Sequence, residues 1–429
     1  MKTVAPKFVC HGCGAIVDSA QQLPFACPHA GDSGDVDHLL VPENGGEFAA
    51  GSEQDPFLRY RRLLSPYRLA RSVGLSEDAW AEFNGRLDEA LAAIEGRGFR
   101  ITPMTQEPDL ARAAGVGASL WVKDETNNVA GSHKARHLMG VMLYLRVLAA
   151  ARLPAGEGLS RRRLAIASCG NAALAAAVVA RAADWPLDVF IPPDAPASVV
   201  QRLKDLGAAI EICRRYGGET GDPCVRAFRR AVQKGAIPFG VQGPDNGLAI
   251  EGGRTLAFEM ADAWRTAGAA PAAVYVQVGG GALASAVAQG LAIAAAQGVI
   301  PDRPRLIAVQ TAGCAPLARA WEKLAGVALP EAVRHRTRFM WPWEQTPASV
   351  AHGILDDETY DWWEIAKGLR ETQGGTIVVD EDALARAHAL AHTHTKIDVS
   401  ATGSAGFAGL LSAPPATGNL AVIFSGAER

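Results

Sequence analysis

The chain has little that would tie it to a membrane, to nucleic acid or to an oxidising compartment. No stretch reaches the roughly eighteen consecutive apolar residues of a membrane-spanning helix. The most apolar region, Ala165–Ala183, is broken by Ser168, Gly170, Asn171 and Arg181. The opening MKTVAPKFVCHGCG lacks the uninterrupted apolar core of a secretion signal. Lys and Arg number 42 against 45 Asp and Glu, a formal net charge of −3. That balance offers no basic face to nucleic acid or to an anionic membrane. Seven cysteines in 429 residues do not make a disulfide framework. These absences read as a soluble, cytoplasmic protein without a nucleic-acid or membrane partner. The length suffices for two domains and an extension.

Residues 1–50 read as a Cys-containing, ribbon-like extension and linker. Cys10-His11-Gly12-Cys13-Gly14 is a CxxC on a glycine turn, and Cys27-Pro28-His29 follows. This is half of a zinc ribbon plus one or two candidate ligands, with Ala30 rather than a fourth cysteine after His29. Cys10, Cys13, Cys27 and His29 are the candidate ligands of a structural zinc, with His11 and His38 as further options. A ribbon that binds nothing remains the other reading. Gly31–Glu53, rich in Gly, Asp, Ser and Glu, reads as a linker. Ser76–Ile94 places Ala79, Trp80, Phe83, Leu87, Leu91 and Ile94 on one face of a helix.

The stretch around Lys134 is the chemically suggestive one. Ala118–Val122 reads as a strand end, a polar segment runs from Asp124 to Gly131, and Ser132 stands where a helix N-cap would stand. Apolar residues then recur at helical spacing through His133–Val147. Lys134 therefore falls in the first turn of a helix, whose partial positive charge disfavours an ammonium. A desolvated lysine, or one condensed with an aldehyde, escapes that conflict.

Two further segments follow the pattern strand, glycine turn, helix. Leu164–Ala167 runs through Ser168-Cys169-Gly170-Asn171 into an alanine-rich helix, Ala172–Ala183. Ala273–Val278 reads as a fully apolar strand and ends in Gly279-Gly280-Gly281-Ala282-Leu283, ahead of a helix over Ala284–Ala295. Both turns offer backbone N–H groups to an anion. The triple glycine is not the dinucleotide fingerprint, which needs one more glycine. Between the two turns, Leu187–Ile191 and Ala208–Cys213 read as strands and Ser198–Leu206 as a helix, the rhythm of a small parallel sheet. Later, Ser349–Gly353 reads as strand-like, Ser400–Gly406 as a small-residue turn, and Leu420–Phe424 as a final strand before Ser425-Gly426. His388 and His392 share a helix face, but no HExxH accompanies them.

Taken in order, the Gly131-Ser132-His133-Lys134 helix start, the Ser-x-Gly-Asn loop, the Glu251-Gly252-Gly253-Arg254-Thr255 element, the triple-glycine turn and the serine after the last strand resemble the fold-type II pyridoxal-phosphate (PLP) enzymes. That is the tryptophan synthase β-like superfamily. The resemblance covers most of Thr102–Arg429. Among its members the chain is most similar to threonine synthases, through the CxxCG element, the EGxxT element and Gln310-x-x-Gly313-Cys314-Ala315-Pro316.

The resemblance implies an α/β fold of two three-layer αβα domains with the small N-terminal ribbon-like extension. Residues 51–133 and 251–429 would form the large PLP-binding domain and 134–250 the small αβα domain. It implies that Lys134 carries PLP as a Schiff base and, once freed, removes the Cα proton. Gly279, Gly280, Gly281, Ala282 and Leu283 would bind the cofactor phosphate, Asn171 the ring hydroxyl and Ser425 the pyridine nitrogen. Ser168, Cys169, Gly170, Asn171 and His133 would meet the substrate. The implied activity is that of a lyase or synthase on a small α-amino acid, by β/γ-elimination or replacement. It is most like conversion of O-phosphohomoserine to threonine and phosphate, by a homodimer. The common Phe and Asp beside the lysine are His133 and Ala135 here. This leaves open a dehydratase or ammonia-lyase, a β-replacement enzyme, and a non-catalytic ligand-binding protein of the same fold.

Overall fold

Short runs of β-branched and apolar residues bounded by Gly and Pro become strands, and the longer alanine- and leucine-rich segments become helices. A computed structural model describes residues 5–32, 34–117, 119–216, 222–413 and 418–428. The expected strand start at Ala118 and Ser33 of the expected linker lie outside the described residues. The chain divides into two compact units. One comprises Met1–Ala30, His38–Arg100 and Lys134–Gly252, and the other Gly31–Asp37, Ile101–His133 and Gly253–Arg429.

The first unit holds a four-stranded parallel sheet in the order Ala209–Ile212, Leu187–Ile191, Leu164–Ala167, Ile237–Pro238. Ala165, Phe190, Cys213, Cys224, Ala227 and Phe228 form one of its cores. The helix Lys134–Ala151 is buried almost all round, which its nearly continuous apolar sequence requires. Helices Ser65–Ser72 and Glu77–Glu95 pack on it and on Asn171–Ala182 respectively, so residues 51–100 count in this unit. The sequence division had grouped them with the larger domain.

The N-terminal ribbon is a three-stranded antiparallel sheet in the order Ile16–Asp18, Lys7–Cys10, Leu40–Pro42. Its third strand lies inside the segment expected to be a linker. Val41 and Leu40 pair with Val9 and Cys10, giving that stretch a fixed place. Phe8 packs edge-on against Tyr144 of the Lys134 helix, with ring centroids 6.1 Å apart. The ribbon is thus anchored to the unit's central helix.

The second unit is built on a six-stranded sheet in the order Gly375–Val379, Arg305–Thr311, Pro271–Gln277, Asn419–Phe424, Leu120–Asp124, Met104–Gln106. Its pairs are parallel except the last, Met104–Gln106 against Leu120–Asp124. Tyr275, Val309, Val422 and Val122 point into one core with Ala405, Phe407 and Leu410. The alternate residues Val274, Val276, Ala308 and Ala421 are equally buried. Burial of both faces is the requirement of a parallel sheet and explains why these strands read as continuous apolar runs.

Two local expectations are corrected. Ser349–Gly353 is not strand-like; a single 3-10 turn, His352–Ile354, stands there. Ser400–Gly406 is not a turn ahead of a helix. Ser400 is the N-cap, its Oγ accepting the Gly403 N–H at 3.0 Å, and the helix Ala401–Ser412 begins at once. The hydroxyl cap outweighs the turn propensity of the small residues.

Asp55 caps the short helix Pro56–Arg59, accepting the Phe57 N–H at 2.7 Å and a hydrogen from Asn84 Nδ2. Burial, reinforced by the neighbouring Asp88 carboxylate, pushes its carboxyl up to about 7 from an ordinary 3.8. Between those values the unfolded chain has lost the proton and the folded chain keeps it. Stability therefore falls as pH rises through that window and levels off above it, by about 1.4 kcal/mol per pH unit for this group. Asp55→Asn should flatten that slope. Urea unfolding at pH 5 and pH 7 checks it: the variant gains on the wild type at pH 7, and parallel behaviour of the two proteins would count against this origin.

Candidate active site

In the second unit the site is laid out by the C-terminal ends of adjacent parallel strands, where α/β folds place ligands. Strand Pro271–Gln277 leaves the sheet into Val278 and the three glycines, and the helix Ala282–Ala296 starts immediately. Gly281 has φ +101°, a left-handed backbone that a side chain would strain. It caps the helix without a side-chain hydrogen bond, so the first-turn N–H groups remain available to an anion. Thr359 Oγ1 donates to Gly279 O at 3.0 Å and Gln310 Nε2 to Val278 O at 3.1 Å, fixing the turn. The Gly280 N–H donates to Asp356 Oδ2 at 2.7 Å. Phosphate binding through that N–H requires the carboxylate to turn aside.

The neighbouring strand, Asn419–Phe424, delivers Ser425, only 4% exposed. Its Oγ accepts a hydrogen from Gln277 Nε2 at 2.6 Å. His133 approaches the same residue, both its backbone N–H and its ring Nδ1 lying 3.1 Å from Ser425 O. A carbonyl only accepts, so Nδ1 carries the proton. Ser132 forms a bridge with Gly426, and the helix begins at Lys134, so Ser132 lies one position before the cap expected of it. Its Oγ is buried and has no partner among the described residues.

The segment leading to Lys134 is held by a buried polar network. Lys123 Nζ, fully buried, donates to the Glu259 carboxylate and to Thr102 O at 2.8 Å. Thr102 Oγ1 donates to Glu125 Oε1 at 2.5 Å, and Asn128 Nδ2 to Glu125 Oε2 at 2.7 Å. Asn128 Oδ1 in turn accepts the Val129 N–H at 2.8 Å. The Lys-Asp-Glu-Thr-Asn-Asn stretch is thus a scaffold for the residues that follow it.

In the first unit, Lys134 is half-buried at the first position of its helix. His137 Nδ1 donates to Ala249 O at 2.8 Å on the same helix's flank. The glycine pair of the EGG element has its reason here. A Cβ on Gly252 would lie 2.1 Å from Arg136 O, so only glycine lets the chain touch the Lys134 helix. Glu251 Oε1 accepts from both N and Oγ of Ser65 at 2.9 Å. Strand Leu164–Ala167 passes through Ser168, Cys169 and Gly170, all half-buried, into the helix Asn171–Ala182, which also lacks a side-chain cap. Burial raises the Cys169 thiol, and the carboxylates of Asp194 and Asp222 raise it further.

Cys10, Cys13, Cys27 and His38 form a second candidate centre, their ligand atoms all within 4.8 Å of one another. Cys10 Sγ to His38 Nδ1 and Cys13 Sγ to Cys27 Sγ are each 3.5 Å, close to the edges of a tetrahedron with bonds of about 2.0–2.3 Å. His29, the ligand favoured from sequence, is not in that cluster; its ring Nδ1 lies 3.8 Å from Cys13 Sγ. His38 sits beside the third ribbon strand, which the sequence reading had missed. His388, His392 and Glu428 also lie together, with His388 Nε2 3.1 Å from Glu428 and His392 Nε2 donating to Val399 O at 2.8 Å.

Residues 97–426 match the family described as pyridoxal-phosphate dependent enzyme. The chain belongs to that family. It is 30% identical over 191 residues to the L-serine dehydratase/L-threonine deaminase of Mus musculus, covering 44% of this chain and 52% of the mouse protein. It is 26% identical over 317 residues to the threonine synthase of Mycobacterium leprae, covering 73% of this chain and 75% of that one. The chain spans about half the length of the serine dehydratases it matches. The fold is similar to that of the diaminopropionate ammonia lyase of Escherichia coli, at a TM-score of 0.60 and 18% identity over 90% of this chain and 93% of that one. The architecture is therefore that of the fold-type II PLP enzymes, as the motif order implied. Among the described residues, no single helix is long and apolar enough to cross a membrane.

The donors fit the cofactor: an uncapped helix N-terminus behind a glycine turn suits a phosphate, and the buried serine hydroxyls suit ring polar atoms. Sequence reasoning missed Gln277, because the strand read as fully apolar ends in a buried glutamine. A lone amide in such a strand was the available signal. It also missed Asp356 and Thr359, which reach the glycine turn from far along the chain and carry no local motif.

Lys123→Met should destabilise the protein by about 3–5 kcal/mol, since it strands the Glu259 carboxylate in the core. Urea unfolding measures this, and a loss under about 1 kcal/mol would contradict the network's role.

Proposed function

We propose that this chain is a PLP-dependent lyase that eliminates the β-substituent of a small α-amino acid, releasing ammonia and a keto acid. Bound PLP would supply an aldehyde that condenses with amines and a ring that accepts the electron pair left at Cα. Lys134 would hold the cofactor and then, as the freed amine, take the Cα proton. The N–H groups of Gly279, Gly280, Gly281, Ala282 and Leu283 would bind its phosphate and Asn171 its ring hydroxyl. Ser168, Cys169, Gly170 and Asn171 would cradle the substrate carboxylate, and His133 would face the departing group.

The observation that carries this reading is Ser425, a buried hydroxyl at the end of Asn419–Phe424; it would meet the pyridine nitrogen in place of a carboxylate able to keep that nitrogen protonated. A serine leaves a weaker electron sink, which suits elimination and replacement over transamination. Elimination is supported by the similarity to the serine dehydratases. A second reading, conversion of O-phosphohomoserine to threonine by a homodimer, is supported by the longer match to the M. leprae threonine synthase. In either case Cys10, Cys13, Cys27 and His38 would hold a structural zinc that fastens the ribbon.

The purified chain, incubated with serine, threonine and O-phosphohomoserine, should release keto acid and ammonia from one of the first two. Threonine and phosphate from the third, with no keto acid from the others, would overturn the first reading in favour of the second. Lys134→Ala should lower kcat by about 10⁴-fold, and near-normal turnover would sink the mechanism.

Metal analysis should find one zinc per chain. His38→Ala should lose the metal and lower the melting temperature, whereas His29→Ala keeps it. Zinc retained by the His38 variant and lost by the His29 variant would reverse the ligand assignment.

A further inference from the structure

We propose that Gln277 is a positioning residue that fixes the direction of the Ser425 proton, so that this hydroxyl donates to the pyridine nitrogen of PLP. The inference rests on the reading that Ser425 meets that nitrogen, and it names what makes the serine a donor there.

Gln277 is 3% exposed, at the end of a strand buried on both faces. Its Nε2 lies 2.7 Å from Gly403 O, 3.1 Å from Ile423 O and 2.6 Å from Ser425 Oγ. Carbonyl oxygens only accept, so the side of the amide facing them is the NH2 group, and the alternative flip would set oxygen against two oxygens. An amide nitrogen has no lone pair to offer. Ser425 Oγ therefore cannot donate to Gln277, and shares the two amide hydrogens with Gly403 O and Ile423 O as one of three acceptors. Among the described residues the Ser425 O–H finds no acceptor of its own. Its proton is directed to whatever acceptor arrives, and an unprotonated pyridine nitrogen is such an acceptor. The hydroxyl holds its proton far more tightly than a pyridinium would, so the ring nitrogen is hydrogen-bonded without becoming charged.

The other end of the amide argues that this arrangement is not general packing. Gln277 Oε1 is buried and has no partner among the described residues. It faces Gly406, where a Cβ would lie 2.8 Å from it. A buried acceptor left unpaired is destabilising. The satisfied end is the nitrogen, which meets Ser425 Oγ together with Gly403 O and Ile423 O.

The test is titration of the full chain, stripped of cofactor, with PLP and with 1-deaza-PLP, in which a C–H replaces the ring nitrogen. Wild type, Gln277→Met, Ser425→Ala and the double variant are compared by affinity and by the absorbance maximum of the bound cofactor. Gln277→Met should bind PLP about tenfold more weakly, with a shifted maximum, and should bind 1-deaza-PLP as the wild type does. In the Ser425→Ala background the same substitution should add nothing. If Gln277→Met leaves PLP affinity and maximum unchanged while Ser425→Ala alters both, the role given to Gln277 is wrong and the role of Ser425 stands. If Ser425→Ala also changes nothing, the reading of Ser425 itself fails. Equal weakening toward both cofactors in Gln277→Met marks a structural role and overturns the proposal. Gln277→Asn, which retains a polar amide but withdraws it by one methylene, reads the same comparison should the methionine variant not fold.

Discussion

A lysine with no exposure to water governs the layout of the larger unit. Lys123 lies in the strand Leu120–Asp124, and its ammonium is met by Glu259 and by Thr102 O. Desolvating such a pair is costly, and it persists only with full hydrogen bonding. Here the remaining polar groups are carried outward in steps, from Thr102 to Glu125 and from Glu125 to Asn128. Each step fixes the backbone of the segment that ends at His133. The pair also ties that strand to the helix Arg254–Ala267, so the strand end and the segment after it share one rigid support.

The smaller unit meets the complementary demand by close approach. The Lys134 helix is buried almost all round, and close approach of backbone to backbone fixes its register together with the His137 bond to Ala249 O. Gly252 lies against Arg136 O, Gly140 against Gly252, and the neighbouring Glu251 is anchored on Ser65. The ribbon adds a further contact through Phe8 and Tyr144. A lysine in the first turn of a helix is electrostatically awkward, so its place must be set by such packing.

Much of this was legible in the sequence because its signals are local. Leu187–Ile191 and Leu164–Ala167 have the bounds expected of them, and the triple glycine leads from a strand into a helix as its composition required. What stayed hidden depends on residues distant in the chain. Leu40–Pro42 is too short to show a period of two and becomes a strand only by pairing with Lys7–Cys10. His38 joins the cysteines through that pairing, which no spacing rule foretells. Asp356 and Gln277 reach the glycine turn and Ser425 through tertiary placement alone. Ser400 was misread because the same small residues that favour a turn also cap and pack a helix.

The claim on which the account stands is that Lys134 is the residue that carries PLP. The direct measurement is borohydride reduction of the PLP-loaded chain, followed by proteolysis and mass mapping of the pyridoxyl-bearing peptide. The account predicts the label on Lys134 and on no other lysine. A label on a different lysine, or none after saturation with PLP, would contradict it.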